Sequence, residues 1–144
     1  MSPALETQFA DYAAFHRTPG NKACHYVGIP LIVFSLLSLL SALPVARWGG
    51  YTLTAAEVVV AGATLYYATL DLALAFVMLA ATLFLDWMGR FVPMSLAFAL
   101  FALGWILQYV GHYRYEKQSP AFYRNLVHLL VGPLWILARA TRRA

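Results

Sequence analysis

Long apolar stretches alternate with short polar segments along this chain, and the pattern predicts a bundle of membrane-spanning helices. A helix needs roughly 20 apolar residues to cross the hydrocarbon core of a bilayer. Only Asp71 separates the second apolar stretch from the third, which indicates a tight helical hairpin. Pro30 lies inside the first stretch and should kink that helix, because proline removes a backbone hydrogen bond. The predicted spans cover about residues 23–43, 53–70, 72–88 and 93–111, and a loop over residues 44–50 follows the first.

The residues before the first span predict an amphipathic helix that lies in the membrane interface. Leu5, Phe9, Tyr12 and His16 recur at helical spacing on one face of the segment from Pro3 to Arg17. This segment is too short and too polar to cross a bilayer. Asn21 is the expected N-cap of the first span, because asparagine side chains accept hydrogen bonds from the free amides at a helix start.

A last helix is predicted over about residues 121–140. Ser119 suits the N-cap position and Pro120 suits the first helical position. The first half of this helix carries Arg124, Asn125 and His128. Polar residues at that density are typical of an interfacial or re-entrant helix, so we do not count it as a fifth span.

The composition supports lipid as the solvent for much of the surface. Hydrophobic residues make up 62% of the 144 residues and charged residues 11%, whereas about a quarter of the residues are charged in ordinary globular proteins. The net charge of +4 is sparse and scattered, which excludes a nucleic-acid interface. The sequence therefore predicts an all-α integral membrane bundle, a single domain over residues 1–144, with four transmembrane helices and an interfacial helix before and after them.

Positive charge predicts the orientation of this bundle, because lysine and arginine are enriched in cytoplasmic segments. Four spans place both termini on one side of the membrane, and that side carries most of the cations. We expect both termini to be cytoplasmic, in a bacterial inner membrane or the endoplasmic reticulum. Arg47 and Arg90 fall on the outer side, and the inner side carries Arg17, Lys22, Arg114, Lys117, Arg124, Arg139, Arg142 and Arg143.

All four histidines fall at the cytoplasmic end of this topology, although they are far apart in sequence. His16 ends the interfacial helix, His25 opens the first span, and His112 closes the fourth span. His128 lies in the first half of the last helix. Neutral imidazole is the commonest metal ligand in proteins. Three or more imidazoles near a carboxylate suit non-haem iron or zinc, so the topology predicts a metal site.

Polar residues accompany the histidines where a membrane helix should be apolar. Gln108 and Glu116 flank His112 at four-residue spacing, so the three form one stripe along the fourth helix. Asn21 precedes His25 by one turn. Glu116, Gln108 and Asn21 are therefore candidate catalytic residues. Simpler roles remain open: Asn21 as a helix cap, Glu116 as an ion-pair partner, and His128 as a solvated side chain.

Two blocks of sequence resemble one enzyme family. Residues 16–30 read HRTPGNKACHYVGIP and residues 108–112 read QYVGH, with Glu116 and Pro120 following. This order resembles the 2-hydroxy fatty acid dioxygenases of fatty acid α-oxidation, known in yeast for the metabolism of phytosphingosine to odd-numbered fatty acids. The resemblance implies an iron(II)-dependent enzyme that shortens 2-hydroxy fatty acids by one carbon. His16, His25 and His112 match the motif histidines of the family, whereas a glutamine can stand at the position of His128.

This resemblance implies a 2-hydroxy fatty acid, O₂ and membrane lipid as partners. The carboxylate and hydroxyl of such a substrate can chelate one iron. Arg17, Lys22 or Arg114 would meet the carboxylate, and the acyl tail would lie between helices or in lipid. The preferred chain length and the oligomeric state are left open by the sequence.

Three other functions compete with this hypothesis. The first is a non-enzymatic membrane protein that binds haem or a metal through paired histidines. The second is a small transporter or channel, which the apolar middles of the spans disfavour. The third is a desaturase-like di-iron oxidase, which the absence of HxxxH and HxxHH boxes disfavours.

The four-span topology can be tested with reporter fusions. Reporters at Ala144 and next to Arg47 should lie on opposite sides of the membrane, with the Ala144 reporter in the cytoplasm. A reporter next to Arg90 serves as the control and should match the Arg47 fusion. Equal accessibility of the Ala144 and Arg47 reporters would rule out four spans.

Overall fold

The structure is a computed structural model, and it describes residues 1–141. The orientation assigned to Arg142 and Arg143 lies outside the described residues. The helices are α1 (Pro3–Ala14), α2 (Pro19–Ser41), α3 (Ala55–Leu70), α4 (Leu72–Gly89), α5 (Met94–Tyr109) and α6 (His128–Ala140). Two strands, β1 (Pro44–Trp48) and β2 (Tyr51–Thr54), join α2 to α3. A π-helical segment, Val110–Glu116, continues α5, and a 3₁₀ turn, Ala121–Tyr123, precedes α6.

The chain forms two compact units. The first consists of Met1–Leu31 with Leu103–Ala144, and the second consists of Ile32–Ala102. The first unit therefore brings together the two ends of the sequence and holds all four histidines. Whether the whole chain behaves as one domain stays a prediction.

The first unit confirms an amphipathic helix at the N-terminus, but α1 ends at Ala14, so His16 lies beyond the helix and not at its end. The side chain of Ser2 accepts a hydrogen bond from the amide of Leu5 and caps α1. Leu5, Phe9 and Tyr12 are buried on one face of α1, as their spacing predicts. That face packs against α6, which buries Val131, Leu134, Trp135 and Ala138.

The start of α2 differs from the prediction. The helix begins at Pro19, and Thr18 caps it, because the hydroxyl of Thr18 accepts a hydrogen bond from the amide of Asn21 at 3.3 Å. Proline fits the first helical turn, where its missing amide hydrogen is not needed. Asn21 therefore lies inside the helix, and its predicted role as the N-cap is wrong.

The predicted last helix is interrupted in its first part. Only the 3₁₀ turn Ala121–Tyr123 forms there, and α6 begins at His128. Asn125 accounts for the break: its side-chain oxygen accepts from the amide of Val127 at 3.0 Å and its carbonyl accepts from the amide of His128. Asparagine favours such local hydrogen bonds, which compete with a continuous helix. His128 therefore opens a helix, where the sequence had placed it one to two turns inside.

The second unit confirms the helical hairpin of α3 and α4. Asp71 is the single residue between them, and its side chain accepts a hydrogen bond from the amide of Leu74 at 2.9 Å. Asp71 therefore ends one helix and caps the next. The bounds of both helices agree with the predicted spans within two residues.

The loop predicted over residues 44–50 belongs to a β-hairpin, and the other elements of the described chain are all helical, which confirms the predicted all-α fold. The strands β1 and β2 are antiparallel, and Trp48 pairs with Tyr51 across the Gly49–Gly50 turn. Gly49 has a φ of +59°, a conformation that residues with a side chain rarely adopt. A Gly-Gly pair between β-favouring residues is a recognised hairpin signal, and it was available in the sequence.

Carboxylates fasten this hairpin to the helices of the second unit. Glu57 accepts hydrogen bonds from the amide of Thr54, the hydroxyl of Tyr51 and the guanidinium of Arg90. Arg90 also pairs with the buried Asp86 at 2.8 Å. Arg90, counted above as an outer-loop charge, thus joins α3 to the end of α4.

Among residues 1–141, three helical segments are long and apolar enough to cross a membrane: α2, α4 and the continuous Met94–Glu116. α3 is shorter, with 16 residues, or about 24 Å at ~1.5 Å per residue, against a hydrocarbon core of about 30 Å. Large apolar side chains such as Leu65, Phe76 and Phe98 are exposed along these helices. An integral membrane protein is therefore supported, while a fourth span stays a prediction.

Candidate metal centre

Three buried imidazoles meet in the first unit. His16 lies in the connection between α1 and α2, His25 lies on α2, and His112 lies on the π-helical segment. The ring centroids of His16 and His25 are 4.3 Å apart, and His112 lies 5.0 Å and 4.8 Å from them. One nitrogen from each ring can be chosen so that all three lie within 4.8 Å of one another. Such spacing suits three ligands of one metal ion.

Backbone carbonyls orient two of these rings. Nδ1 of His16 lies 2.6 Å from the carbonyl oxygen of Tyr12, and Nδ1 of His25 lies 2.9 Å from that of Asn21. A carbonyl can only accept, so each Nδ1 carries the proton and each Nε2 keeps its lone pair. Metal-binding histidines are commonly oriented by such hydrogen bonds.

Two further nitrogens of the cluster lack a hydrogen-bond partner among the described residues. Nε2 of His16 and Nδ1 of His112 are buried and make no hydrogen bond within the described residues. A buried polar atom left without a partner costs about 1–3 kcal/mol. Burial also lowers the pKa of His16 to about 4, so this imidazole is neutral at pH 7 and able to bind a cation. The three histidines therefore fit a metal ion.

His128 is buried beside this cluster but is not one of the three. Its Nε2 donates to Oδ2 of Asp11 at 2.8 Å, and the Asp11 side chain is 54% exposed. Its Nδ1 is buried without a hydrogen-bond partner. The structure thus brings three of the four predicted ligands together, and a metal-binding role for His128 stays a prediction.

Glu116 fixes the segment that carries His16. Its carboxylate accepts from the backbone amides of Arg17 and Thr18, at 2.9 and 3.0 Å, and from the Thr18 hydroxyl. It also accepts from Nδ2 of Asn21 at 3.1 Å. The carboxylate therefore satisfies free amides at the start of α2 and ties them to the end of the segment that carries His112.

The π-helical segment lets two helices approach closely at the cluster. A Cβ atom on Gly111 would lie 2.4 Å from Oδ1 of Asn21 and 3.3 Å from the ring of His25, so only glycine fits. π-Helical turns are rare and occur frequently at functional sites. The predicted fourth span ended at Gly111, although the stripe of Gln108, His112 and Glu116 assumed that the helix continues to Glu116; its π-helical form was not predicted.

Aromatic rings that the sequence did not assign to the site surround His16. The ring of Tyr12 stacks on His16 with a centroid distance of 4.0 Å, and Trp135 lies 5.3 Å from Tyr12. Both aromatic side chains are almost completely buried. The spacing of four residues between Tyr12 and His16 could have predicted that Tyr12 lies beside the site. No sequence pattern indicated that Trp135 does.

The remaining predicted residues differ in exposure. Arg17 and Arg114 are exposed and Lys22 is half-buried, whereas Gln108 is buried one turn before His112. The roles of the three cations in binding a carboxylate, and of Gln108, Asn21 and Glu116 in catalysis, stay predictions.

A comparison that covers almost the whole chain shows its family. The family model described as 2-hydroxy-palmitic acid dioxygenase Mpo1-like matches residues 3–144. The chain belongs to this family. The 2-hydroxy-palmitic acid dioxygenase MPO1 of Saccharomyces cerevisiae is 29% identical to this Mpo1-like protein over 134 residues, which cover 92% of this chain and 77% of the yeast protein. No solved structure matches the chain.

Loss of the Glu116 carboxylate should weaken metal binding by this protein. Glu116→Ala frees the segment that carries His16, and loss of such outer contacts typically costs about 10–100-fold in metal affinity. Titration of the metal-free protein with Zn²⁺ in detergent measures the effect. The control, Glu57→Ala, removes a comparable carboxylate from the second unit and should leave the affinity unchanged. Equal Zn²⁺ affinities of the Glu116→Ala and wild-type proteins would disprove this positioning role.

Proposed function

We propose that this protein is an iron(II)-dependent dioxygenase that shortens 2-hydroxy fatty acids by one carbon at the cytoplasmic face of a membrane. The observation that carries the proposal is the cluster of three buried imidazoles with unpartnered nitrogens. Membership of the Mpo1-like family supports the substrate class, because the yeast relative is named for 2-hydroxy-palmitic acid.

His16, His25 and His112 would hold the iron. Iron(II) bound there would supply the activation of O₂, which is the second substrate. His128 is a candidate fourth ligand, because its Nδ1 is free and its Nε2 donates to Asp11. A carboxylate on the second nitrogen of an imidazole is a common support for a metal-binding histidine.

The proposed reaction balances without an outside reductant. A 2-hydroxy acid and one O₂ give the acid shortened by one carbon, CO₂ and water. The bond between C1 and C2 breaks, C1 leaves as CO₂, and C2 becomes the new carboxyl carbon. These two carbons lose four electrons, and one O₂ accepts four. Neither 2-oxoglutarate nor a nicotinamide is needed.

The residues around the cluster would bind and position the substrate head. Arg17, Lys22 and Arg114 lie on or beside the histidine-bearing segments and would attract the carboxylate. Glu116 and Asn21 would keep the His16 segment in place through their mutual hydrogen bond. The acyl tail would follow the apolar helices or the surrounding lipid, which suits a substrate with a polar head and an apolar tail.

The proposed topology uses α3 as a short fourth span beside α4. An apolar helix of 16 residues that is joined to α4 by one residue supports this arrangement. Both termini would then lie in the cytoplasm, of a bacterial inner membrane or of the endoplasmic reticulum.

Purified protein should contain one iron per chain, and the imidazoles should hold it. Alanine at His25 or His112 should remove the metal while the protein stays folded in detergent, as measured by elemental analysis and circular dichroism. Arg47→Ala, in the hairpin of the second unit, is the control and should keep its iron. Full iron occupancy in both histidine variants would exclude this site, and a haem absorption band would favour the non-enzymatic alternative.

Catalysis should require the 2-hydroxyl group. With iron(II) and O₂ supplied, 2-hydroxypalmitate should yield pentadecanoate, whereas palmitate should not react, because it lacks one of the two chelating oxygens. The 3-hydroxy isomer would chelate through a larger ring and should be a poor substrate. Product analysis by mass spectrometry provides the measurement. Equal turnover of palmitate and 2-hydroxypalmitate, or a strict need for 2-oxoglutarate, would contradict the proposed reaction.

A further inference from the structure

The site has three polar layers where α2 runs beside the end of α5 and its π-helical continuation. In the outer layer, Asn21 donates to Glu116. In the middle layer, the rings of His25 and His112 lie 4.8 Å apart. In the inner layer, Gly28 faces Gln108. Each step moves about one turn along both helices, towards the apolar part of α2.

The inner layer contains a buried amide nitrogen without a hydrogen-bond partner among the described residues. Gln108 is only 5% exposed, and its Nε2 makes no hydrogen bond within the described part of the chain. An amide nitrogen offers two donor hydrogens. The outer layer holds the start of α2 in place, and the middle layer supplies metal ligands. Neither role uses the amide donor of Gln108.

Glycine at position 28 makes the space that the amide occupies. A Cβ atom on Gly28 would lie 2.3 Å from Nε2 of Gln108 and 2.9 Å from the carbonyl oxygen of Gly104. Glycine is unfavourable inside a helix, so its presence in α2 fits a requirement for this space. The Gln108 amide is thus accommodated at a specific place, one turn from His112, and its donor is left free.

We propose that Gln108 recognises the 2-hydroxyl group of the substrate through a hydrogen bond from Nε2 to the hydroxyl oxygen. This inference rests on the proposed function. The substrate head is placed at the histidines, and its tail must leave towards the apolar side. The 2-hydroxyl lies at the start of the tail, so it is the substrate oxygen that the inner layer meets.

This hydrogen bond makes Gln108 a specificity-determining residue. A fatty acid without the 2-hydroxyl would leave the amide buried and unpaired. Sites built to hydrogen-bond a hydroxyl group reject analogues that lack it more strongly than apolar pockets reject an extra group. Selectivity for 2-hydroxy acids would then arise partly in binding, before any reaction at the metal.

Equilibrium binding to the metal-free protein tests this role without any contribution from chelation. Binding of 2-hydroxypalmitate and of palmitate is measured separately in detergent, with wild type, Gln108→Met and Gly28→Ala. Methionine keeps the length of the side chain and removes the donor. Alanine at position 28 displaces the amide while leaving it in the chain. Gln118→Met is the matched control, because Gln118 is exposed.

Wild type should bind 2-hydroxypalmitate roughly tenfold more tightly than palmitate, the factor that one hydrogen bond supplies. Gln108→Met and Gly28→Ala should lose most of that ratio by weakening the binding of 2-hydroxypalmitate, and Gln118→Met should keep it. With the iron-loaded enzyme, Gln108→Met should raise the KM for 2-hydroxypalmitate about tenfold, with a smaller change in kcat.

The two proposals fail in different ways. If wild type turns over 2-hydroxypalmitate and Gln108→Met keeps the wild-type ratio of affinities, the role of Gln108 is wrong and the dioxygenase proposal stands. If wild type shows no turnover but the ratio still depends on Gln108, the dioxygenase proposal is wrong and the recognition of the 2-hydroxyl stands. If Gln108→Met does not fold, an unchanged ratio in Gly28→Ala is sufficient to overturn the role.

Discussion

The candidate site depends on one carboxylate that closes a long loop in the chain. Glu116 accepts hydrogen bonds from the amides of Arg17 and Thr18, which are almost 100 residues away in sequence. Free amides at a helix start need acceptors, and a carboxylate is the strongest acceptor that a side chain offers. This contact joins the segment that carries His16 to the π-helical segment that carries His112, so the imidazole cluster depends on it.

Sequence reasoning was most successful where the physical cause is local. Apolar runs predicted the positions of α2 to α5, and one residue, Asp71, predicted the tight connection. The spacing of Leu5, Phe9 and Tyr12 predicted the buried face of α1. The histidine cluster was also predictable, because the predicted four-span topology places His16, His25 and His112 at the same end of the helices.

The sequence-based predictions were wrong where side chains compete for backbone hydrogen bonds and where two helices are in close contact. Asn125 interrupts the last helix through its own hydrogen bonds, and the Gly-Gly turn makes a hairpin of a supposed loop. The distance between α2 and the end of α5 determines three further features. These are the π-helical segment, the contacts of Glu116 and the space beside Gln108. Glycines such as Gly28 and Gly111 determine the distance between these helices. A single sequence does not show which glycines lie at such a contact.

The one-residue connection between α3 and α4 bears on how the protein is assembled. A separate insertion of each helix would need a connection long enough to hold the second helix outside the bilayer while the first crosses it. Asp71 provides no such length, and its side chain is already engaged in capping α4. In the proposed four-span topology, α3 and α4 would therefore enter the bilayer together as one antiparallel pair, and the longer α4 would support the short α3.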